Sequence, residues 1–301
     1  MTNYKFSREI NAAFASTLKQ RVNAYFEDNN LSRNANREMV TKTIIGVSYY
    51  FAVYFVIIFG GISHVPTLFL LWAMMGVGQA FIGTCVMHDV LHGSYSKSKR
   101  INNLMQLVVL AIGVEPSTWK IQHNVLHHSY TNIEDTDEDI APRYVLRFTV
   151  NQPRRWFHRF QHIYVSFFYS IPIIIWVTAK DFIKLHKYRG LGLIKNNKTF
   201  RNMYLGTILR KAIYLFFFLF IPIYVLNVSV GLVIAMLATK LVVTGVILSA
   251  IFQTAHIIPS CDIINPEDGE EVIQENWLVH QLLTTTNYAM NNKFLTWSFG
   301  S

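Results

Sequence analysis

The sequence predicts an all-α integral membrane protein, and three observations support this fold class. Hydrophobic residues make up 51% of the 301 residues and charged residues only 15%, whereas about a quarter of the residues in a soluble domain are charged. The apolar residues also occur in runs long enough to span a bilayer, and histidines cluster next to the ends of these runs. We therefore expect four transmembrane helices in two hairpins, with interfacial or re-entrant helices and a cytoplasmic histidine-rich cap.

The net charge and the cysteine content argue against other classes. The formal charge of +9 would suggest nucleic acid as the partner of a soluble protein, but in a membrane protein Lys and Arg mark cytoplasmic loops and contact lipid headgroups. No nucleic-acid partner is therefore expected. The two cysteines, Cys85 and Cys261, are too few for a disulfide framework or a cysteine-rich metal site.

Residues 1–42 are expected to form a cytoplasmic amphipathic leader. Apolar residues recur in it every four positions, with Lys and Arg between them, which is the pattern of a helical stripe. The stripe consists of Phe6, Ile10, Phe14, Leu18 and Val22. Such a helix either lies on the membrane surface or packs against the rest of the protein, and the second arrangement is at least as well supported by the sequence.

Two apolar runs, at about 43–62 and 65–87, predict the first transmembrane hairpin. The link between them, 61–64, contains no Lys or Arg, so the chain returns to its starting side just before His88. Basic residues follow the hairpin at Lys97, Lys99 and Arg100. The positive-inside rule therefore assigns this side to the cytoplasm.

The second predicted hairpin consists of runs at about 212–226 and 230–252, and two shorter apolar segments precede it. Residues 104–114 cover only about half of the roughly 20 residues that a span needs, and residues 163–177 have basic residues on both sides. We therefore expect a re-entrant segment and an interfacial helix at these places. Lys240, inside the last span, must snorkel or face a polar interior.

Five histidines occur in two compact clusters that predict a metal site. In a helix, residues four apart share one face, so His88 with His92, and His123 with His127, can each direct two imidazoles to one point. His128 looks about 100° further round the helix and can reach a neighbouring metal or complete the same site. Neutral imidazole binds Zn, Cu, Fe or Ni, so the histidines alone do not identify the metal.

Further candidate residues lie beside these clusters or later in the chain. His256 follows the last span, and a histidine at the membrane edge is a functional candidate. His280 is either a ligand or an ordinary packing residue. Asp89 and Asn124 each follow a candidate ligand directly, so they can accept an imidazole N–H and fix its tautomer, or they can cap a helix or loop.

An acidic stretch, 134–139, follows the second histidine cluster. It is either a solvated loop, a support that accepts hydrogen bonds from the imidazoles, or a segment that forms ion pairs. The sequence does not separate these three roles. The basic residues available for pairing are Arg143, Arg147, Arg154 and Arg155.

Four short motifs carry a resemblance to a known family. They are Met87-His88-Asp89-x-x-His92-Gly93-Ser94, His123-Asn124-x-x-His127-His128-x-Tyr130-Thr131-Asn132, Asp135-x-Asp137, and His280-Gln281-Leu282-Leu283-Thr284-Thr285-Thr286-Asn287-Tyr288-Ala289. The first two resemble the first two histidine boxes of the membrane fatty acid desaturase family. All four together are most similar to its bacterial acyl-lipid or linoleoyl-CoA desaturase branch.

The resemblance implies a centre of two non-haem iron ions, dioxygen as the oxidant, and removal of two hydrogens from the chain of a fatty acyl-CoA or acyl-lipid. It also implies an external electron donor such as ferredoxin or cytochrome b5. The active face is expected to be cytoplasmic, at a bacterial inner membrane. Trp119, just before the second cluster, is a candidate wall of the acyl tunnel. The expected metal ligands are His88, His92, His123, His127, His128 and His256, with His280 as a further ligand candidate.

One departure from the family pattern leads to a further expectation. The family carries a third box of the form Gln-x-x-His-His shortly after a Trp-Phe-Gly-like stretch, whereas this sequence ends at 297–301 and has no His-His pair after His128. The expectation is a single desaturase-like domain over 1–301 that is truncated before its third box. Such a chain would bind iron poorly and would be inactive.

Three alternatives to a desaturase stay open from the sequence. A hydroxylase, ketolase or epoxygenase would share the histidine boxes and differ only in the fate of the oxidised carbon. A membrane transporter or non-enzymatic metal-binding protein is disfavoured, because a transporter would place its histidines in the middle of a span. A pseudoenzyme or the product of a broken gene would explain the missing third box.

Overall fold

The computed structural model describes residues 4–140, 144–266, 272–287 and 289–299, and these are mostly helical. A short parallel pair joins β1 (Lys5–Phe6) to β2 (Val272–Ile273). In chain order the helices are α1 (Ala12–Asp28), α2 (Arg37–Phe59), α3 (Val65–His92), α4 (Lys99–Leu110), α5 (Pro116–Lys120 with its π-helical continuation Ile121–His127), α6 (Trp156–Gly190), α7 (Asn197–Val225), α8 (Val230–His256), α9 (Trp277–Thr284) and α10 (Lys293–Phe299).

Five helices within the described ranges are long and apolar enough to cross a membrane, namely α2, α3, α6, α7 and α8. This confirms the prediction of a helical integral membrane protein. The sequence predicts four such spans, and the additional candidate is α6. The segment 163–177, expected to be interfacial, lies inside this continuous 35-residue helix. The number of helices that cross the membrane and their arrangement in two hairpins stay predictions.

Two predicted boundaries differ from those of the helices. The second predicted span was placed at 65–87, but α3 continues without a break to His92. The first pair of histidines therefore lies on the last turns of an apolar helix rather than after it. Helix α7 begins at Asn197, well before the predicted start at 212, because the polar, basic residues ahead of the apolar run are helical as well.

Helix α8 packs against α3 and α6, and glycines permit the close approach. A Cβ atom added to Gly76 of α3 would lie 2.6 Å from the carbonyl oxygen of Lys240 in α8. A Cβ atom added to Gly245 of α8 would lie 2.9 Å from Cα of Ser170 in α6. Because the three backbones are in close contact, α8 holds its terminal residue, His256, in a fixed position relative to α3.

Most of the apolar stripe of the leader is exposed, although Leu18 of α1 is partly buried. Phe14 and Val22 are 50% and 45% exposed, and Ile10, just before the helix, is also exposed. The part of the stripe that does pack is Phe6 in β1, whose ring contacts Tyr130 and His280. Contact between α1 and the membrane surface stays a prediction.

Candidate metal centre

Three regions of the chain bring six histidines together. They are the end of α3 (His88 and His92), the end of α5 with the residue after it (His123, His127 and His128), and the last residue of α8 (His256). The Nε2 atom of His88 lies 3.3 Å from that of His92 and 3.2 Å from that of His123. The six positions expected to ligate a metal therefore lie next to one another, although they come from positions up to 168 residues apart (256 − 88).

A π-helical turn sets which imidazoles of the second cluster face each other. Residues 121–127 form this wider turn, in which residues five apart are neighbours. The Nε2 atoms of His123 and His128 are accordingly 3.1 Å apart. His127 instead points its Nε2 atom at that of His256, at 3.3 Å. His123 and His127 also have ligand atoms close enough to hold one metal ion, together with Asp139, so the i,i+5 contact between His123 and His128 adds to the expected i,i+4 pair.

Hydrogen bonds on the far side of two rings fix their tautomers. Nδ1 of His127 lies 3.0 Å from the Asp137 carboxylate, and Nδ1 of His256 lies 3.1 Å from the carbonyl oxygen of Thr284. Both partners accept hydrogen bonds, so each Nδ1 carries the proton. The facing Nε2 atoms of the two rings are therefore the ones left to share either a proton or a metal ion.

The protonation states of His123 and His128 also favour metal binding. Burial, together with the neighbouring imidazoles of His127 and His88, holds the pKa of His123 well below its usual range. Burial, with neighbouring imidazoles, lowers the pKa of His128 to about 3. Both rings are therefore neutral at pH 7, which is the form that binds metals.

His127 behaves differently from its neighbours. Burial would lower its pKa, but the hydrogen bond to Asp137 and the charge of Asp139 outweigh burial and raise the pKa to about 9. A metal ion that binds at this ring therefore displaces a proton.

Two groups of side chains in the described ranges have ligand atoms close enough for a metal ion. The first group is His88, His92, His123 and His128, and its ligand atoms all lie within 4.8 Å of one another. The second group is His123, His127 and Asp139. Four imidazoles in one group, with the pair of His127 and His256 beside it, form a nitrogen-rich donor set that fits iron, zinc, copper or nickel.

All of the six histidines except His92 line a cavity of about 370 Å³. Beyond the histidines the cavity continues between apolar side chains of α6 and α8, including Ile173, Leu248 and Phe252. Trp119 also lines it, and its indole lies 4.3 Å from the ring of His123, centroid to centroid. An apolar cavity that ends at metal-binding side chains can hold a hydrocarbon chain next to a metal.

Comparison with known proteins gives the family. The fatty acid desaturase family matches residues 63–301. The chain is 32% identical to the sn-1 linoleoyl-lipid 6-desaturase of Arthrospira platensis over 293 residues, which cover 95% of this chain and 77% of that protein. The chain belongs to the fatty acid desaturase family.

Two further relatives are also named as lipid desaturases. The sn-1 linoleoyl-lipid 6-desaturase of Synechocystis is 28% identical over 290 residues, which cover 95% of this chain and 79% of that protein. The acyl-lipid (8-3)-desaturase of the moss Physcomitrium patens is 30% identical over 292 residues, which cover 94% of this chain. The chain spans 59% of the length of the moss protein.

The acidic stretch of this desaturase family member combines two of the expected roles. Asp137 accepts a hydrogen bond from His127, whereas Glu138 forms ion pairs with Lys184 and Lys187 of α6. These pairs go to lysines that the sequence analysis did not consider as partners. Arg143, one of the predicted partners, lies outside the described residues, as does Tyr288 of the fourth motif.

Two residues expected to orient imidazoles have different surroundings. Asp89 lies 3.5 Å from Nδ1 of His88, at the limit of a hydrogen bond. Asn124 does not accept an imidazole N–H, and its amide instead donates to the carbonyl oxygen of Leu91. This bond joins α5 to the end of α3, because the π-helical turn points the Asn124 side chain at that helix and not at a ring.

His280 lies apart from the six clustered histidines. Its side chain is completely buried, and its ring packs at 4.9 Å from that of Phe6. It belongs to neither group of metal-binding side chains in the described part of the chain. For His280, the roles of ligand and of packing residue both stay predictions.

Asn132 lies at the base of the site, and the sequence predicts no individual role for it. Its φ of +56° is in the left-handed region, which asparagine tolerates better than most residues. The buried side-chain amide donates to the carbonyl oxygens of His256 and Asp262. The signal in the sequence was its position in the second box, but no single-sequence rule gives the partners of a buried amide.

Proposed function

We propose that this chain desaturates fatty acyl chains, with dioxygen as the oxidant and two non-haem iron ions at the clustered histidines. The observation that carries the proposal is the meeting of six imidazoles from three separate regions at the end of an apolar cavity. Family membership supports desaturation of an acyl chain, and two of the relatives act on a linoleoyl-lipid by their names. An acyl-lipid is therefore the proposed substrate, with acyl-CoA as the second candidate.

Each proposed iron has its own set of protein ligands. His88, His92, His123 and His128 would hold the first iron, and His127 and His256 would contribute to the second. Asp137 and the Thr284 carbonyl group hold the two latter rings in the orientation that directs Nε2 inward. When bound, the irons would supply the oxidising power needed to break an unactivated C–H bond.

The protein itself positions the substrate and excludes water. A saturated chain offers no polar group near its middle, so the cavity must hold it by contact with apolar side chains. Ile173, Leu248 and Phe252 provide these contacts, and Trp119 covers the imidazoles beside them. The position of the new double bond would follow from how far the chain extends past Trp119.

The reaction requires a partner that supplies electrons. The substrate gives up two electrons and two protons, and a donor supplies two more electrons while solvent supplies two more protons. Dioxygen is thereby reduced to two molecules of water. We propose a one-electron carrier such as ferredoxin or cytochrome b5 as this donor, which would bind at the cytoplasmic face.

The proposed arrangement in the membrane places all six histidines on the cytoplasmic side of a bacterial inner membrane. It comprises four crossings by α2, α3, α7 and α8, with α6 at the interface. The basic residues on both sides of the apolar part of α6 support this arrangement. The third histidine box stays a prediction, and the nucleotide sequence downstream of codon 301 tests it.

Expression of the full-length gene product in a host without the corresponding unsaturated lipids tests the function. Gas chromatography with mass spectrometry of the membrane fatty acids should show a new double bond, and the product should disappear in His123→Ala. A hydroxylated, keto or epoxide product would instead indicate the related oxygenases. The absence of any oxidised acyl chain, with the protein present in the membrane and iron supplied, would contradict the proposal.

A further inference from the structure

The segment 111–116 is completely buried although it contains no regular helix before Pro116. It joins α4 to α5, and α5 carries the second histidine box. The backbone N–H groups of Ala111, Ile112 and Gly113 donate to the carbonyl oxygens three residues earlier, which belong to the end of α4. The three carbonyl oxygens of the turn therefore need other partners, because a buried carbonyl group without one is costly.

Each of these carbonyl oxygens accepts a hydrogen bond from a different membrane helix. Ala111 accepts from the hydroxyl of Tyr50 in α2, at 2.9 Å. Ile112 accepts from the amide of Gln79 in α3 at 3.2 Å, and Gly113 accepts from the ammonium of Lys211 in α7 at 2.7 Å. Three helices are thus attached to three consecutive residues.

Lys240 of α8 completes this arrangement. Its side chain is fully buried, and its ammonium donates to the hydroxyl of Tyr50 at 2.7 Å and to that of Tyr214 at 3.3 Å. The ring of Phe218 lies 3.8 Å from the same ammonium. Among the described residues no ion pair includes Lys240, so hydroxyl groups and aromatic faces are the partners of its amino group.

The direction of the hydrogen bonds links Lys240 to the turn. The Tyr50 hydroxyl accepts a hydrogen bond from Lys240 and donates one to the carbonyl oxygen of Ala111. Consecutive hydrogen bonds of this kind polarise and strengthen each other. Gly113 lies under Tyr214, since a Cβ atom added to Gly113 would be 2.9 Å from that ring. Any movement of the turn therefore disturbs both tyrosines that hold the lysine. We call Lys240, Tyr50, Tyr214 and the turn 111–113 the hub.

The turn is only a few residues from the metal-binding helix. Glu115 starts α5 by accepting the N–H of Ser117, and Glu115 is itself held by Arg210 of α7 at 2.8 Å. Thr118 donates to Asp181 of α6 at 2.7 Å. The start of α5 is therefore attached to the membrane helices, and the helix continues from there to the second box.

We propose that Lys240 is a positioning residue, which fixes the turn 111–113 through Tyr50 and thereby sets the position of the second histidine box. A lysine in an apolar helix is energetically costly. Its presence is explained if its hydrogen bonds couple the position of α5 to that of α8, which ends in His256. The inference rests on the proposed metal centre only for its expected effect on metal binding. The contacts themselves belong to the membrane helices.

Hydrogen–deuterium exchange of the full chain in lipid nanodiscs tests the proposal, with Lys240→Met and Tyr50→Phe as the variants. Thr244→Val is the matched control, because Thr244 is buried one turn further along α8 and its hydroxyl donates only to backbone carbonyl oxygens, those of Gly76 and Lys240, and to no side chain of the hub. The two hub variants should raise exchange across 109–127 roughly tenfold or more, as expected when a buried carbonyl group loses its hydrogen bond. The control should leave that segment unchanged.

Anaerobic titration with Fe²⁺ alone gives the second readout. Affinity should fall about tenfold in both hub variants and stay unchanged in Thr244→Val. Exchange in 109–127 equal to wild type, or raised equally by the control, would overturn the proposal. Raised exchange with unchanged Fe²⁺ affinity would overturn it too, because the hub would then hold the turn without setting the box. If Lys240→Met does not fold, Tyr50→Phe decides. Hydrogen–deuterium exchange and Fe²⁺ affinity would still test this proposal if no desaturase activity were found.

Discussion

The carboxylate of Asp137 lies 3.0 Å from Nδ1 of His127, and both side chains are almost completely buried. Backbone N–H groups of Asn132 and Asp139 also donate to this carboxylate, at 2.9 Å each. The carboxylate is therefore held rigidly before any metal binds. Its position fixes the orientation of a ring whose other nitrogen faces His256.

Substitution of Asp137 should weaken metal binding without removing a ligand. Asp137→Asn removes the negative charge and leaves an amide that can donate a proton toward Nδ1, so we expect about 10- to 100-fold lower metal affinity. Equilibrium titration with Fe²⁺ measures this effect. The control is Asp135→Asn, an exposed carboxylate whose φ of +61° suits asparagine. Equal affinities for the two variants would contradict the role of Asp137.

A matched pair of variants separates the two later histidines. His256→Gln should lose about half of the bound iron, since the imidazole that faces His127 is replaced by a much weaker ligand. His280→Gln should keep the iron and reduce only stability, because His280 packs against Phe6. Iron per chain is measured by mass spectrometry of the purified proteins. Loss of iron from His280→Gln would instead indicate that His280 is a ligand.

The candidate site residues could be predicted from the sequence because membrane helices and histidine spacing are local signals. The apolar runs gave α2, α3 and α8, and the charge pattern placed the ends of α3 and α8 on one side of the membrane. The convergence of His88, His123 and His256 followed from that placement. Such signals need no knowledge of tertiary contacts.

The remaining features depend on contacts that one sequence does not show. The π-helical turn at 121–127 changes which imidazoles face each other, and no residue in it signals the wider turn. The acidic stretch contained several carboxylates, and only the fold selects Asp137 for His127 and Glu138 for Lys184. Lys240 was recognisable as buried, but its tyrosine partners come from helices far along the chain.

The cavity should control where the double bond forms. Trp119→Phe leaves space beside the imidazole of His123 and removes part of the wall that the acyl chain contacts. We expect a mixture of double-bond positions, read by mass spectrometry of derivatised fatty acids. Trp72→Phe is the control, because Trp72 is fully buried in α3 and does not line the cavity. It should lower stability by about 1–3 kcal/mol and keep a single product.

The ion pairs of Glu138 should make stability depend on pH in the acid range. Burial alone would raise its pKa, but hydrogen bonds from Lys184 and Lys187 outweigh burial and lower the pKa below the usual value. A carboxyl group with a lowered pKa stabilises the folded state above its unfolded pKa, and this contribution is lost as the pH falls through the folded pKa. Glu138→Gln should therefore lower the thermal midpoint at pH 7, and the difference from wild type should shrink below about pH 4. Thermal unfolding in detergent measures both, with Asp135→Asn as the exposed control. A difference between Glu138→Gln and wild type that is constant across this range would show that packing, and not charge, holds Glu138 in place.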